Sequence, residues 1–184
     1  MEASLIEKLN NDLKQALRNG EKVKLGTIRM VLSAAKNAEM AKRAKLMVAT
    51  ANKAGITELN KLELSPGQIA EISKQAELED ADIITVIARE IKQRNESIEA
   101  YKLGNRPDLV AVEEAELAVL LTYMPKQVSH EEVVAVAQRI ITEVGAHGPG
   151  DKGKVMPKII GELKGKADGK EINTVVTELL NALH

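Results

Sequence analysis

The chain has almost no aromatic side chains with which to build a core. Among its 184 residues there is no phenylalanine and no tryptophan, and the two tyrosines are Tyr101 and Tyr123. Leucine, isoleucine, valine, methionine and alanine must therefore fill the interior. This composition favours packed helices over β-sandwiches, because strands are enriched in aromatic residues. The sequence predicts an all-α fold.

Helix start and stop signals recur along the whole chain. Ser4 and Ser129 each precede a glutamate by three residues, the pattern of a capping box, and Ser65 precedes a proline. Gly20 and Pro125 are stop signals, and no segment shows the alternation of a strand. The predicted helices cover about 4–19, 21 to the mid-forties or beyond, 66–76, 80–102, 107–124, 130–144, 151–163 and 169–183, with another turn or two over 57–64.

A linker at 125–129 divides the predicted helices into two groups. Residues 1–125 form a helical N-terminal domain. Residues 129–184 form a three-helix domain, which at about 55 residues is small but long enough to fold alone.

The sequence lacks the residues that several classes of function require. The chain has no cysteine, which excludes disulfides, thiolate metal sites and cysteine nucleophiles. His130, His147 and His184 are too far apart in sequence for a ligand motif, and there is no nucleotide-binding or nucleophile motif. We therefore expect no metal, no cofactor and no catalysis by this chain alone.

The expected location is the cytoplasm. The first fourteen residues contain three acids and no unbroken apolar run, unlike a signal peptide. No stretch approaches the roughly 18 apolar residues of a membrane span.

Charge is unevenly distributed along the chain. Residues 1–50 carry ten Lys/Arg and five acids, residues 51–150 carry ten and seventeen, and residues 151–184 carry six and five. A polyanion should therefore meet the two ends of the chain and be repelled by the middle. Within the middle, Glu113, Glu114 and Glu116 are expected on solvated surface, because a helix directs neighbouring side chains apart.

The C-terminal part contains a lysine- and glycine-rich group that suits anion binding. Lysines supply positive charge, and glycines permit sharp helix ends and close backbone approach. Ordinary surface lysines give the same pattern, so that alternative stays open. The candidate RNA-binding residues here are Lys152, Gly153, Lys154, Lys164, Gly165, Lys166, Gly169 and Lys170.

A second candidate surface lies on the second predicted helix. Lys22, Arg29, Lys36 and Arg43 are spaced seven residues apart, with a drift of only about 20° per step, so they form one stripe. The stripe could follow a nucleic-acid backbone. The alternative is a solvated face, because charged stripes usually only keep a helix soluble.

The chain resembles the YqeY family, free-standing relatives of the C-terminal tail domain of GatB, a subunit of tRNA-dependent amidotransferase. The matching segments are spread over most of the chain, and together they are specific. They are Ser4–Asn10, Ile28–Val31, Lys36–Glu39, Lys92–Ile98, Glu113–Leu117, Tyr123–Pro125, Gly153–Met156 and Lys164–Lys170.

The resemblance implies a helical N-terminal domain, a small helical C-terminal domain and a link to tRNA. In GatB the tail domain contacts tRNA while other parts perform amide transfer, so the resemblance assigns no catalytic residues. It implies tRNA or another structured RNA as partner, and a connection to an amidotransferase or translation component. The alternative is a protein-interaction adaptor.

Two features depart from the family pattern. Family members usually have proline where Gly161 stands, whereas this chain has Pro157, so the bend in that helix should shift. About 25–30 residues, roughly 44–76, are also expected to be an insertion.

Overall fold

The structure, a computed structural model, describes residues 4–55 and 63–183. Within these residues there are eight α-helices and no strand, which confirms the all-α prediction. Most of the helical turn predicted over 57–64, and also His184, lie outside the described residues. The helices are α1 (Leu5–Asn19), α2 (Lys22–Lys53), α3 (Pro66–Ala76), α4 (Asp80–Leu103), α5 (Pro107–Leu121), α6 (His130–Glu143), α7 (Lys152–Leu163) and α8 (Gly169–Asn181), with a 3-10 turn (Pro149–Asp151) before α7.

The three predicted helix starts are confirmed. Ser4, Ser65 and Ser129 each accept a hydrogen bond from the backbone N–H three residues later, and the third residue's side chain accepts one from the cap's N–H. Such a cap stabilises a helix by about 1 kcal/mol. The predicted stop after α1 is also confirmed, since Gly20 adopts the left-handed conformation with φ of 71°.

The chain divides into two compact units, Met1–Thr122 and Tyr123–His184, here called the N-terminal and C-terminal units. In the N-terminal unit, α2 packs against α1, α3, α4 and α5, and α4 pairs closely with α5. Its most buried large side chains are aliphatic: Leu9, Ile28, Val31, Ile83, Ile87 and Leu120.

The C-terminal unit is a three-helix bundle of α6, α7 and α8 with an aliphatic core. Burying a side chain of this kind contributes about 1.5–3 kcal/mol. Lys152, at the start of α7, bonds to Thr177, late in α8, so these two helices run antiparallel. The buried cluster consists of Val133, Ala137, Ile140, Ile141, Ala146, Val155, Ile159, Leu163, Ile172, Val175, Val176 and Leu180.

Candidate nucleic-acid interface

The lysine- and glycine-rich group of the sequence lies at two opposite ends of α7. Lys152, Gly153 and Lys154 form its first turn, whereas Lys164 follows its last residue. At a rise of 1.5 Å per residue, the backbones of Lys154 and Lys164 are about 15 Å apart. The group is therefore two separate clusters rather than one patch.

The cluster at the start of α7 is engaged in contacts within the protein. Lys154 Nζ lies 2.7 Å from Asp151 Oδ1, and Lys152 Nζ donates to Thr177 Oγ1 at 2.7 Å. The other Asp151 oxygen accepts the backbone N–H of His147 at 3.0 Å. The His147 N–H and then the Lys154 ammonium lower the pKa of the Asp151 carboxyl below its ordinary value. One of the two lysines, Lys154, is therefore already paired with an acid, Asp151.

The turn between α7 and α8 presents its lysines to solvent. Gly165 adopts a left-handed φ of 74°, which reverses the chain after α7. Asp168 caps α8 by accepting the backbone N–H groups of Lys170 and Glu171 at 2.7 and 3.4 Å. Lys164, Lys166 and Lys170 are all exposed.

Residues before α6 bring a fourth lysine to this turn. Gln127 Nε2 donates to the Gly165 carbonyl at 2.8 Å, and the Val128 N–H donates to the Lys166 carbonyl at 2.9 Å. Lys126, exposed and one residue before Gln127, is therefore held beside the turn. We call Lys126, Lys164, Lys166 and Lys170 the basic turn. The sequence alone does not indicate Lys126 as part of this group, because only these tertiary hydrogen bonds place it there.

The acids near the basic turn already have structural partners. Asp168 serves as the helix cap, and Glu171 Oε1 lies 3.1 Å from His130 Nδ1 on α6. Within residues 123–183, Lys126, Lys166 and Lys170 form no ion pair in the structure. These three lysines can therefore neutralise an external anion.

The three glycines of the candidate site differ in conformation. Gly165 requires its left-handed φ, whereas Gly153 and Gly169 do not adopt one. At both of the latter positions a built Cβ atom would meet open space. Pro157 lies inside α7 and has no N–H, so the Gly153 carbonyl, four residues earlier, lacks its helical donor. Gly153 thus leaves exposed backbone near the start of α7.

The four stripe residues all lie on α2 and are exposed. Among the described residues, none of the four forms an ion pair. From Lys22 to Arg43 the stripe runs about 32 Å along the helix. Lys36 borders an apolar cleft of about 430 Å³ and Arg43 borders another of about 220 Å³. Two of the four cations, Lys36 and Arg43, therefore lie beside apolar surface.

A buried charge cluster in the N-terminal unit was not foreseen. Arg94 is only 7% exposed. Its Nε lies 3.0 Å from Glu116 Oε2 and 3.7 Å from Glu113 Oε2, and Nη1 lies 3.2 Å from Glu90 Oε2. Its Nη2 contacts Met30 Sδ. Three carboxylates thus surround one guanidinium.

The expectation that Glu113 and Glu116 belong to solvated surface is wrong. Their i, i+3 spacing puts both on the face of α5 that packs against α4, where they meet Arg94. Glu114 points elsewhere and pairs with Lys102 on the exposed surface at 3.4 Å. The sequence feature that could have indicated this contact is Arg94, which falls on the buried face of α4 between Ile87 and Ile98.

The described residues contain neither a metal-ligand group nor a membrane-spanning helix. Across 4–55 and 63–183, no group of three or more histidine, aspartate or glutamate side chains is arranged to hold a metal ion. None of the helices in those ranges is both long and apolar enough to cross a bilayer.

Comparison with known proteins connects most of the chain to one family. The family model described as Yqey-like protein matches residues 6–54 and 61–180. The chain is also 25% identical over 181 residues to "Altered inheritance of mitochondria protein 41, mitochondrial" of Pyrenophora tritici-repentis (strain Pt-1C-BFP). That alignment covers 97% of this chain and 82% of the fungal protein. The family match omits residues 55–60 within the 44–76 segment, whose insertion stays a prediction.

Proposed function

Because the chain belongs to the YqeY family, we propose that it is a non-catalytic accessory protein whose C-terminal unit binds structured RNA, with tRNA as the expected ligand. The resemblance to the GatB tail domain supports tRNA, since that domain contacts tRNA in the amidotransferase. It also supports a functional link to an amidotransferase or another translation component. Cytoplasmic location stays a prediction.

The basic turn is the observation that carries this proposal. Four exposed lysines lie on two segments of the C-terminal unit, and backbone and amide hydrogen bonds hold these segments together. Lysine ammonium groups bind phosphates mainly through charge, and each neutralised phosphate releases counterions. Such a surface favours a sugar–phosphate backbone without reading its sequence.

The ligand should be folded RNA rather than an unpaired strand. Proteins that bind single strands stack bases on exposed aromatic side chains. The C-terminal unit has no phenylalanine or tryptophan, and its one tyrosine, Tyr123, is 5% exposed and so offers no stacking surface. Duplex RNA, recognised by shape and by its backbone, needs no such residue.

The test compares two variants with the same change of charge. The first replaces the basic turn with glutamates (K126E/K164E/K166E/K170E), and the second replaces the stripe (K22E/R29E/K36E/R43E). We expect the first to abolish tRNA retention in a low-salt filter assay and the second to weaken it less. Circular dichroism checks that both fold. Unchanged retention by the first variant, or equal loss in both, would contradict the proposal.

The salt dependence supplies an independent measurement. If the four lysines contact phosphates, log affinity should fall with log salt by about 0.9 per phosphate, the value that holds for duplex DNA. The wild-type slope should therefore be about −3 to −4. A slope near zero would show that binding, if seen, does not depend on phosphate contacts.

A further inference from the structure

We propose that the N-terminal unit binds an acidic amphipathic helix of a partner protein in a groove along α2 and α3. We call this the α2–α3 groove; it comprises the two clefts bordered by Lys36 and Arg43. The inference does not rest on RNA binding by the C-terminal unit. It concerns different residues and is tested without RNA.

The two clefts open on a single face of α2. Leu32, Lys36 and Glu39 line the larger cleft, and Arg43 and Met47 line the smaller one. Ala35 also lines the larger cleft, and at 100° per residue these six positions fall within an arc of about 120°. The two clefts are therefore neighbours along one side of α2.

The segments that line the other side of the two clefts also lie along α2. The larger cleft is closed by Ile6 of α1 and by Leu78 and Ile83 at the α3–α4 junction. The smaller is closed by Leu64 and by Ile69 and Ile72 of α3. Because α3 begins beside Met47 and ends beside Glu39, it runs antiparallel to α2 along the groove.

The spacing of the clefts suits a helix. Their centres on α2 are about 14 Å apart along its axis, which corresponds to between two and three helical turns. A partner helix lying in the groove would place one apolar side chain in each cleft, as amphipathic helices do in other groove-binding proteins. The second cleft retains exposed apolar surface for this purpose, since Ile69 is 42% exposed.

The charges specify the partner's chemistry. Lys36 and Arg43 are exposed at the edge of the groove and, within the described ranges, neither has an ion-pair partner. Acidic residues on the partner helix would complement them. Glu39 and Glu77 also line the larger cleft, so the partner's acids must lie on the Lys36 and Arg43 side.

The same features disfavour nucleic acid at this surface. Apolar side chains such as Leu32, Ile69 and Ile72 offer nothing to a phosphate backbone. The carboxylates of Glu39 and Glu77 would repel it. A partly apolar helix whose acids lie only on the Lys36 and Arg43 side complements both the apolar residues and the cations, whereas a polyphosphate complements only the cations.

The test begins with an unbiased library of displayed 16-residue peptides selected on the full-length protein. Enriched peptides are then synthesised with a fluorophore, and their affinities are measured by polarisation. We expect them to be acidic, with apolar residues two to three helical turns apart. The variants I69E and K36E/R43E should each lower the affinity about tenfold or more.

A matched control is K14E/R18E, which reverses two exposed charges on α1 and should leave the affinity unchanged. The proposal is overturned if enriched peptides lack the acidic and apolar pattern, or if K36E/R43E binds them as tightly as wild type. It is also overturned if sedimentation shows a wild-type dimer that I69E dissociates, since a second copy would then fill the groove. Loss of tRNA retention in K36E/R43E without any enriched peptide would assign the surface to RNA instead.

Discussion

The side chain of Arg94 and the lysine side chains of the basic turn are cations in opposite environments. Arg94 is buried in the N-terminal unit among three glutamates from α4 and α5. The lysines of the basic turn are exposed, and the acids nearby are occupied by a helix cap and by His130. A buried charge must be compensated inside the protein, whereas an exposed one remains available to a ligand.

This difference shows why the count of charges along a sequence does not identify a binding surface. The acidic middle of the chain, residues 51–150, includes Glu90, Glu113 and Glu116, which contact Arg94 rather than an outside partner. The basic C-terminal part includes Lys154, which is paired with Asp151. The number of uncompensated, exposed charges on one surface is the relevant quantity.

The largest expected effect is the loss of stability on removing Arg94. R94A leaves three carboxylates facing one another without a cation, and breaking a buried ion pair typically costs about 3–5 kcal/mol. Urea unfolding of the variant measures the loss. The control K92A removes an exposed cation two residues away on the same helix, paired with Glu96, and should cost less than about 1 kcal/mol.

The triple variant R94A/E113Q/E116Q sharpens this test. Removing two of the negative charges relieves the repulsion, so part of the lost stability should return. If R94A costs less than about 1 kcal/mol, the cluster is not a structural centre and the contrast with the basic turn fails.

A smaller loss of stability is expected at Gly165. A residue with a Cβ atom costs about 1–2 kcal/mol in the left-handed conformation, so G165A should destabilise the C-terminal unit by that amount. G153A is the control, because Gly153 is helical and open space surrounds its Cβ position. That variant should be neutral or gain up to about 1 kcal/mol. Equal losses in both variants would contradict the assignment.

A pH-dependent contribution is expected at Asp151. Its pKa in the folded protein is lowered, first by the His147 N–H and then by Lys154. Its contribution to stability is therefore present above the unfolded pKa and is lost as pH falls through the folded pKa. In chemical unfolding from pH 7 to acid, D151N should lose less stability than wild type. Parallel pH profiles would show that these contacts contribute nothing.

The smallest expected effect is that of the basic turn on stability. K166E/K170E changes two exposed side chains without ion pairs in residues 123–183, so the free energy of unfolding should stay within about 0.5 kcal/mol of wild type. In the same samples tRNA retention should fall. A large loss of stability would mean that these lysines, like Arg94, serve the fold.

Local signals made the helices predictable from the sequence. Ser4, Ser65 and Ser129 are read directly as caps, because the residues that complete each capping box lie within the same turn. The aliphatic core likewise follows from composition. These features need only short-range geometry.

The candidate site was less predictable because it depends on contacts between distant segments. The separation of Lys154 from Lys164 needs no such contact, since it follows from the length of α7 alone. Lys126 reaches the turn through Gln127 and Val128. Helical spacing alone likewise does not show that Glu113 and Glu116 share a partner, Arg94, across the α4–α5 contact.

The hydrogen bonds from Gln127 and Val128 to the α7–α8 turn have a practical consequence for dissecting the molecule. A fragment that starts at Ser129 would retain all three C-terminal helices but would lack Lys126 and both donors that fasten the turn. Any attempt to study the C-terminal bundle in isolation should therefore begin at Tyr123. Otherwise, weakened RNA affinity would reflect where the chain was cut rather than a missing N-terminal unit.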